Sequence, residues 1–111
     1  MYNEILIISE STGLKSDFKL KDQIKDSSGS VIDNIAEGFE RDGNLEFRQF
    51  LSVAKGSAGE TRSQLYRVFD NGFINELLLT KMINDYDLLS KKIASFMNYL
   101  NKKDFKGLKF K

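Results

Sequence analysis

Apolar side chains recur every three or four residues along most of the chain, which is the spacing of one face of an α-helix. The pattern predicts four helical segments, at about residues 2–10, 21–39 and 45–71 and from Asn75 onward. Turn formers separate the segments, and Asn44 and Asn75 stand where the N-caps of the third and fourth helices are expected. Because the links are short, neighbouring helices should run antiparallel, which predicts an all-α, up-down four-helix bundle.

The predicted core is the apolar stripe of the second, third and fourth segments. In chain order these stripes contain Leu20, Ile24, Ser28, Val31, Ile35, Phe39, then Phe47, Phe50, Leu51, Ala54, Ala58, Thr61, Leu65, Val68, Phe69, then Leu79, Ile83, Tyr86, Leu89, Ile93, Phe96 and Leu100. Asn71-Gly72 supplies a stop after the third segment. The fourth segment carries further apolar residues that widen its arc, so it needs partners on more than one side; these are Leu77, Leu78, Met82, Leu88, Met97 and Tyr99.

A row of small residues lies on the third segment opposite its apolar stripe. Ser52, Gly56, Gly59 and Ser63 are spaced by four, three and four positions. A glycine in a helix interior costs about 1 kcal/mol relative to alanine, so two on one face call for a reason. A groove for a closely approaching helix, most simply from another subunit, supplies that reason. The alternative is a helix that merely exposes Gly and Ser. We expect homo-oligomerisation.

The composition restricts the chemistry of the chain. Its 111 residues are 41% hydrophobic and 30% charged, the balance of one globular domain, which we assign to residues 1–103. The absence of His and Cys rules out His-based catalysis, thiol chemistry and the usual zinc cages, so we expect no enzyme, no metal and no cofactor. The longest apolar run, residues 5–8, is far shorter than a membrane span. We therefore expect a cytoplasmic protein with no membrane partner.

The net charge of +1 is a sum of unlike parts. Residues 102–111 contain five lysines and one aspartate, which leaves the other 101 residues with a net charge of about −3. We treat residues 104–111 as a Lys-rich tail. Seven basic residues are candidates for nucleic-acid contacts; these are Lys25, Arg41, Arg48, Lys55, Arg62, Lys102 and Lys103.

Four of these candidates form a basic row, Arg41, Arg48, Lys55 and Arg62, at seven-residue intervals. The second segment carries an acidic row, Asp26, Asp33 and Glu40, at the same interval. The acidic row points away from its own core stripe, so pairing with the basic row is more plausible across a subunit boundary than within one chain. Solvated carboxylates are the alternative. One interpretation of the basic row is a track for phosphates; the alternative is a solvated or interfacial face, which is what a row of charges usually is.

From Leu20 onward the chain resembles the four-helix-bundle proteins encoded by intervening sequences of bacterial 23S rRNA genes. The matching residues are Leu20, Gln23-Ile24-Lys25, Ser30-Val31, Asn34-Ile35-Ala36-Glu37-Gly38, Arg41, Glu46-Phe47, Phe50-Leu51, Ala54, Gly56-Ser57, Glu60 and Gln64-Leu65. The chain is also similar to the accessory protein of diversity-generating retroelements, a positively charged pentameric barrel that binds nucleic acid and a reverse transcriptase.

The resemblance implies a left-handed four-helix bundle that assembles into a ring-like homopentamer without enzymatic activity. It singles out Asn34, Glu37, Ser57 and Glu60, which we expect to form a polar network between helices or subunits rather than a ligand site. This chain has Asp26 where the family usually has a second basic residue, which weakens the case for nucleic-acid binding. Two hypotheses follow: an oligomer that binds RNA or DNA with or without a protein partner, and an oligomer with a purely structural or protein-interaction role.

Overall fold

A computed structural model describes the backbone of residues 1–109 and the side chains as far as residue 103. Its elements are α1 (Tyr2–Ser11), a 3₁₀ turn (Gly13–Ser16), α2 (Phe18–Phe39), α3 (Asn44–Asp70) and α4 (Glu76–Lys109). The all-α prediction and its four helical segments are thus confirmed, and the described range contains no strand. The helical backbone of α4 continues into the predicted Lys-rich tail, whose side chains lie outside the described residues.

Contacts between consecutive long helices run in opposite residue order. Early in α2, Gln23 accepts a hydrogen bond from Arg67, late in α3. Further along α2, Ser30 contacts Ser57, earlier in α3. The same reversal holds between α3 and α4. Neighbouring helices therefore run antiparallel, as the short links predict.

Local hydrogen bonds set most helix boundaries. The side chain of Asn75 accepts from the backbone N–H of Leu78 at 2.8 Å, which confirms the predicted cap of α4. Gly72 has a φ of 78° and follows the last turn of α3, where its N–H and that of Phe73 bond back to the helix. This is the Schellman arrangement, and it confirms the predicted stop at Asn71-Gly72.

The predicted cap at Asn44 is wrong. Helix α3 already includes Asn44, and its N-cap is Gly43, which has a φ of 106° and makes no side-chain capping bond. The left-handed turn at Gly43 brings the chain into the helix one residue early, so Asn44 has helical backbone angles instead of the extended ones of a cap. Helix α2 also begins early, at Phe18, because Asp17 caps it with a 3.2 Å bond to the N–H of Leu20.

The core has two parts of different thickness. At the four-helix end, Ile5 and Ile8 of α1 pack with residues from the other three helices, including Ile24, Leu65 and Met82. At the three-helix end, all the buried core residues come from α3 and α4, and Ile35 is the α2 side chain that packs against them. These buried residues are Leu51, Ala54, Ile93 and Leu100. Helix α1 is only ten residues long, so it covers only part of the molecule, whose dimensions are 57 × 23 × 17 Å.

The predicted core is correct for most of its members, with one clear exception. Phe39, the last residue of the α2 stripe, is 66% exposed. It lies at the three-helix end, where no fourth helix of the described chain covers α2. Of the additional apolar residues on α4, Met82 is buried, whereas Leu77, Leu88 and Tyr99 are exposed.

Candidate interaction surfaces

A seam of hydroxyl and amide groups joins α2 to α3. The hydroxyl of Ser27 lies 2.9 Å from that of Thr61 and 2.5 Å from Oε1 of Gln64. Thr61 is completely buried, and its hydroxyl donates to the carbonyl of Ser57 at 2.9 Å. No described side-chain polar atom is left both buried and unbonded, so these groups pin two helices together at low cost.

A second part of this seam contains two of the four family-motif residues. Asn34 donates to the hydroxyl of Ser30 at 2.9 Å, and Ser57 donates to the same hydroxyl at 2.9 Å. Glu37 instead forms a 2.6 Å ion pair with Arg41 on the surface of its own helix. The expected network of four motif residues is therefore reduced, within one chain, to Asn34 and Ser57 bridged by Ser30.

Glu60, the fourth motif residue, is exposed at the mouth of a depression of about 380 Å³ above the seam. A neighbouring depression of about 330 Å³ shares Asp26 and Ser30 with it and also includes Lys25. Sequence reasoning missed Ser27, Ser30 and Gln64 as members of the seam. The sequence feature that could have identified them is the presence of polar residues beside the apolar stripes of two adjacent helices.

The arginines of the basic row are already engaged within the chain. Arg62 contacts Asp87 at 3.3 Å and donates to Ser90 at 2.7 Å. Arg48 donates to the side chain of Asn101. Both side chains therefore turn toward α4.

The remaining basic candidates differ in environment. Arg41 pairs with Glu37, and its guanidinium lies 5.2 Å from the ring centre of Phe50. Lys25 is half-buried, whereas Lys55, Lys102 and Lys103 are exposed. The acidic row is exposed: Asp26 and Asp33 lie on α2, and Glu40 follows its last residue. The ion pairs described for Arg41 and Arg62 are with Glu37 and Asp87, outside the acidic row.

The small-residue stripe of α3 faces outward. Ser52, Gly56 and Ser63 are exposed, and Gly59 is half-buried. A Cβ added at Gly56 would meet nothing within 4 Å, and one at Gly59 would meet only the end of the Arg62 side chain, at 3.6 Å. The stripe is an open surface of the single chain.

Two large apolar side chains continue the line of this stripe. Leu45 is 61% exposed and lies seven residues before Ser52, while Tyr66 is 50% exposed and lies seven residues after Gly59. Seven residues are nearly two helical turns, so both side chains share the face of the stripe. We call the six residues together the outer face of α3. Its shape is a smooth middle between two apolar ends.

Among the described residues, the pKa is clearly shifted for Tyr86 and Lys81, which lie where α1 meets α4. Burial, together with the negative charges of Glu4 and Asp85, raises the pKa of Tyr86 to about 12. Hydrogen bonds to Glu4 and Asp85, at 2.7 and 3.0 Å, raise the pKa of Lys81. The Glu4–Lys81 pair joins α1 to α4.

The described residues contain no group of three or more Asp or Glu side chains able to hold a metal ion. None of their helices has an apolar stretch long enough to cross a membrane.

Comparison with known proteins defines the family but no activity. The crystal structure of a protein of unknown function from the S23 ribosomal protein family of Bacteroides thetaiotaomicron is similar, with a TM-score of 0.75 and 22% sequence identity. The similarity covers 86% of this chain and 85% of that one, and at this identity it establishes the shared fold alone. No curated protein matches the chain significantly. The model of the 23S rRNA-intervening sequence proteins matches residues 1–95, and the chain therefore belongs to that family.

Proposed function

We propose that this protein is a non-catalytic, self-assembling helical module of the cytoplasm whose subunits associate through the outer face of α3. The observation that carries the proposal is the open stripe at Gly56 and Gly59, flanked by the exposed side chains of Leu45 and Tyr66. Two interior helical glycines cost the fold about 2 kcal/mol relative to alanine. Close packing of a neighbouring helix against the stripe would offset that cost, whereas an exposed helix surface would not.

The assembly that we propose is the ring-like homopentamer of left-handed bundles implied by the resemblance to relatives. A ring needs two different surfaces on each subunit, because each copy contacts one neighbour with one patch and the next neighbour with another. The outer face of α3 is one such patch. The exposed acidic row of α2 is free to meet basic groups of the adjacent copy, of which Lys55 on α3 is exposed.

The test is the mass of the protein in solution, measured by light scattering after size exclusion at micromolar concentration. We expect an oligomer for the unaltered chain and smaller species for Gly56→Leu combined with Gly59→Leu. Asn84→Leu is the matched control, because it adds the same side chain at an exposed position of α4. A monomeric unaltered protein, or an oligomer that keeps its mass in the double variant, would contradict the proposal.

A second candidate function is binding of RNA or DNA, and exposed lysines favour it. Lys55, Lys102 and Lys103 are solvent-accessible, and ring symmetry would multiply them. The arginines Arg48 and Arg62 are engaged by α4, so the lysines should contribute more to phosphate contacts.

The test of nucleic-acid binding is a mobility shift of labelled RNA and DNA over a range of salt concentrations. Lys55→Glu with Lys102→Glu and Lys103→Glu should abolish a salt-dependent shift. Lys15→Glu with Lys19→Glu and Lys91→Glu, at three other exposed positions, is the charge-matched control. If no shift is seen at low ionic strength, the role is purely structural or limited to protein partners.

A further inference from the structure

Helix α1 covers only one half of the space between α2 and α4. Its first turn lies level with Gly29 of α2, where an added Cβ would stand 3.4 Å from the ring of Tyr2. On the other side, Glu4 reaches Lys81 of α4 at 2.7 Å. From Gly29 to its end at Phe39, α2 runs for ten more residues, or about 15 Å. The side chain of Tyr2 reaches Asp33 and Asn34 in this stretch, and the described contacts place no other residue of α1 there. The space between α2 and α4 along this length is a groove, which we call the open groove.

The open groove has an apolar floor and apolar walls. A chain of ring contacts crosses it: Phe39 lies 4.9 Å from Phe47, Phe47 lies 5.3 Å from Phe96, and Phe96 lies 6.1 Å from Tyr99. Phe39 and Tyr99 are 66% and 58% exposed, and Ile32, two turns before Phe39, is 51% exposed. Three large apolar side chains concentrated along one groove are what a buried partner helix would cover.

The contacts of α1 in the covered half of the space between α2 and α4 indicate what kind of helix fits the open groove. There, α1 buries Ile5 and Ile8 in the core and pairs Glu4 with Lys81. Helix α4 repeats this lysine at intervals of eleven residues, as Lys81, Lys92 and Lys103. Eleven residues are almost three whole turns, so the three lysines follow one edge of α4. Lys92 and Lys103 are exposed along the open groove.

From this repetition we infer that the open groove is the docking site for an acidic amphipathic helix of a partner protein. The helix has three to four turns, its apolar residues cover Phe39, Ile32 and Tyr99, and its carboxylates pair with Lys92 and Lys103. At the three-helix end the partner helix thereby takes the position that α1 takes at the four-helix end. This inference goes beyond self-assembly, because the groove lies across the bundle from the outer face of α3.

A second copy of this chain fits the groove less well. The outer face of α3 presents small residues and no carboxylate row. A contact between that face and a groove on the opposite side of the next copy is heterologous and, with the two patches on opposite sides, favours an open filament over a small ring. The partner is therefore a different protein, recognised by an apolar stripe with acidic residues on one flank.

The experiment uses a fluorescein-labelled, hydrocarbon-stapled 14-residue peptide with Leu along one face and Glu along the flank that would meet α4. Binding to the full-length protein is followed by fluorescence anisotropy. We expect saturable binding that is at least about tenfold weaker for Phe39→Glu and about fivefold weaker for Lys92→Glu. A peptide with Lys in place of Glu should bind more weakly than the acidic one. Leu77→Glu is the control, since Leu77 is 81% exposed at the other end of α4.

Three outcomes would overturn the inference. One is no binding of the acidic peptide to a protein whose circular dichroism shows the full helix content. Another is equal binding of the acidic and basic peptides, or binding that Phe39→Glu leaves intact. The third is a loss of oligomer mass in Phe39→Glu, which would show that a second copy covers the groove. Because Gly56→Leu with Gly59→Leu alters only the outer face of α3, a failure of self-assembly is distinguishable from a failure of groove binding.

Discussion

The substitution Gly56→Ala distinguishes between two states of the outer face of α3: exposed to solvent, or packed against another subunit. In the single chain an added Cβ at Gly56 meets nothing within 4 Å. The methyl group therefore strains nothing in the isolated subunit. Its effect there comes only from the backbone, because alanine loses less conformational entropy than glycine when a helix forms.

The expected size of this effect follows from helix propensity. Gly to Ala in a helix interior is worth about 1 kcal/mol. Unfolding entropy for a domain of this length is about 0.23 kcal/mol per kelvin, so the melting temperature of an isolated subunit should rise by about 4 °C. If a helix backbone from another subunit lies against Gly56, the same methyl group overpacks that contact at a cost of about 1–3 kcal/mol. The overpacking cost equals or exceeds the gain from helix propensity, so a packed face predicts no net gain or a loss of stability, whereas an open face predicts a gain.

The assay is thermal unfolding by circular dichroism at two protein concentrations a hundredfold apart, with the mass measured in parallel by light scattering. For a packed outer face we expect Gly56→Ala to lower both the melting temperature and the oligomer mass at the higher concentration. A rise of about 4 °C at both concentrations, with the mass unchanged, would refute the reasoning that the stripe is an interface.

Three further experiments, with four substitutions, test the packing of the single chain. Gly38→Ala should destabilise the fold by about 1–3 kcal/mol in a denaturant titration, because its Cβ would lie 2.7 Å from the ring of Phe47; an unchanged midpoint would show that the ring moves freely. Thr61→Val and Ser27→Ala should each cost about 1 kcal/mol, and the double variant should cost less than the sum, because the two hydroxyls lie 2.9 Å apart; simple additivity would contradict their coupling. Burial raises the pKa of Tyr86 from 10.0 to about 12, so the folded state favours the neutral phenol and the free energy of unfolding should fall as the pH rises from 10 to 12. Tyr86→Phe should lose that part of the pH dependence, and an identical pH profile would be the contrary result.

Much of the fold follows from local spacing in the sequence. An apolar residue every three or four positions marks a helix whatever it packs against, so the four helices and the inner positions of their stripes were predictable. The roles of Asn75 as a helix cap and of Gly72 as a helix stop were equally predictable, since both depend on contacts within one turn of the chain. Membership of the family was also visible in the sequence, because its motif includes the contiguous string of residues 34–38.

The partners of side chains at the edge of a helix were not predictable in this way. In the sequence Arg48 and Arg62 belong to a regular basic row, yet both side chains are bound by residues of α4. The spacing placed Gly56 opposite the apolar stripe of its helix, and it lies in the open, but the sequence did not show that Gly38 would lie against the ring of Phe47. These outcomes depend on how adjacent helices are rotated about their axes, which is set by packing over the whole bundle.

Phe39 shows most clearly what the tertiary structure alone decided. By its period it belongs to the core stripe of α2, and its exposure results from the length of a different helix, α1, which ends its cover near Gly29. Periodicity specifies which face of a helix is apolar, because it depends on bonds three and four residues apart. Whether that face is covered depends on the relative lengths and positions of separate helices. The sequence by itself therefore determined the helices and their apolar faces, and only the assembled bundle determined which of those faces remain open to a partner.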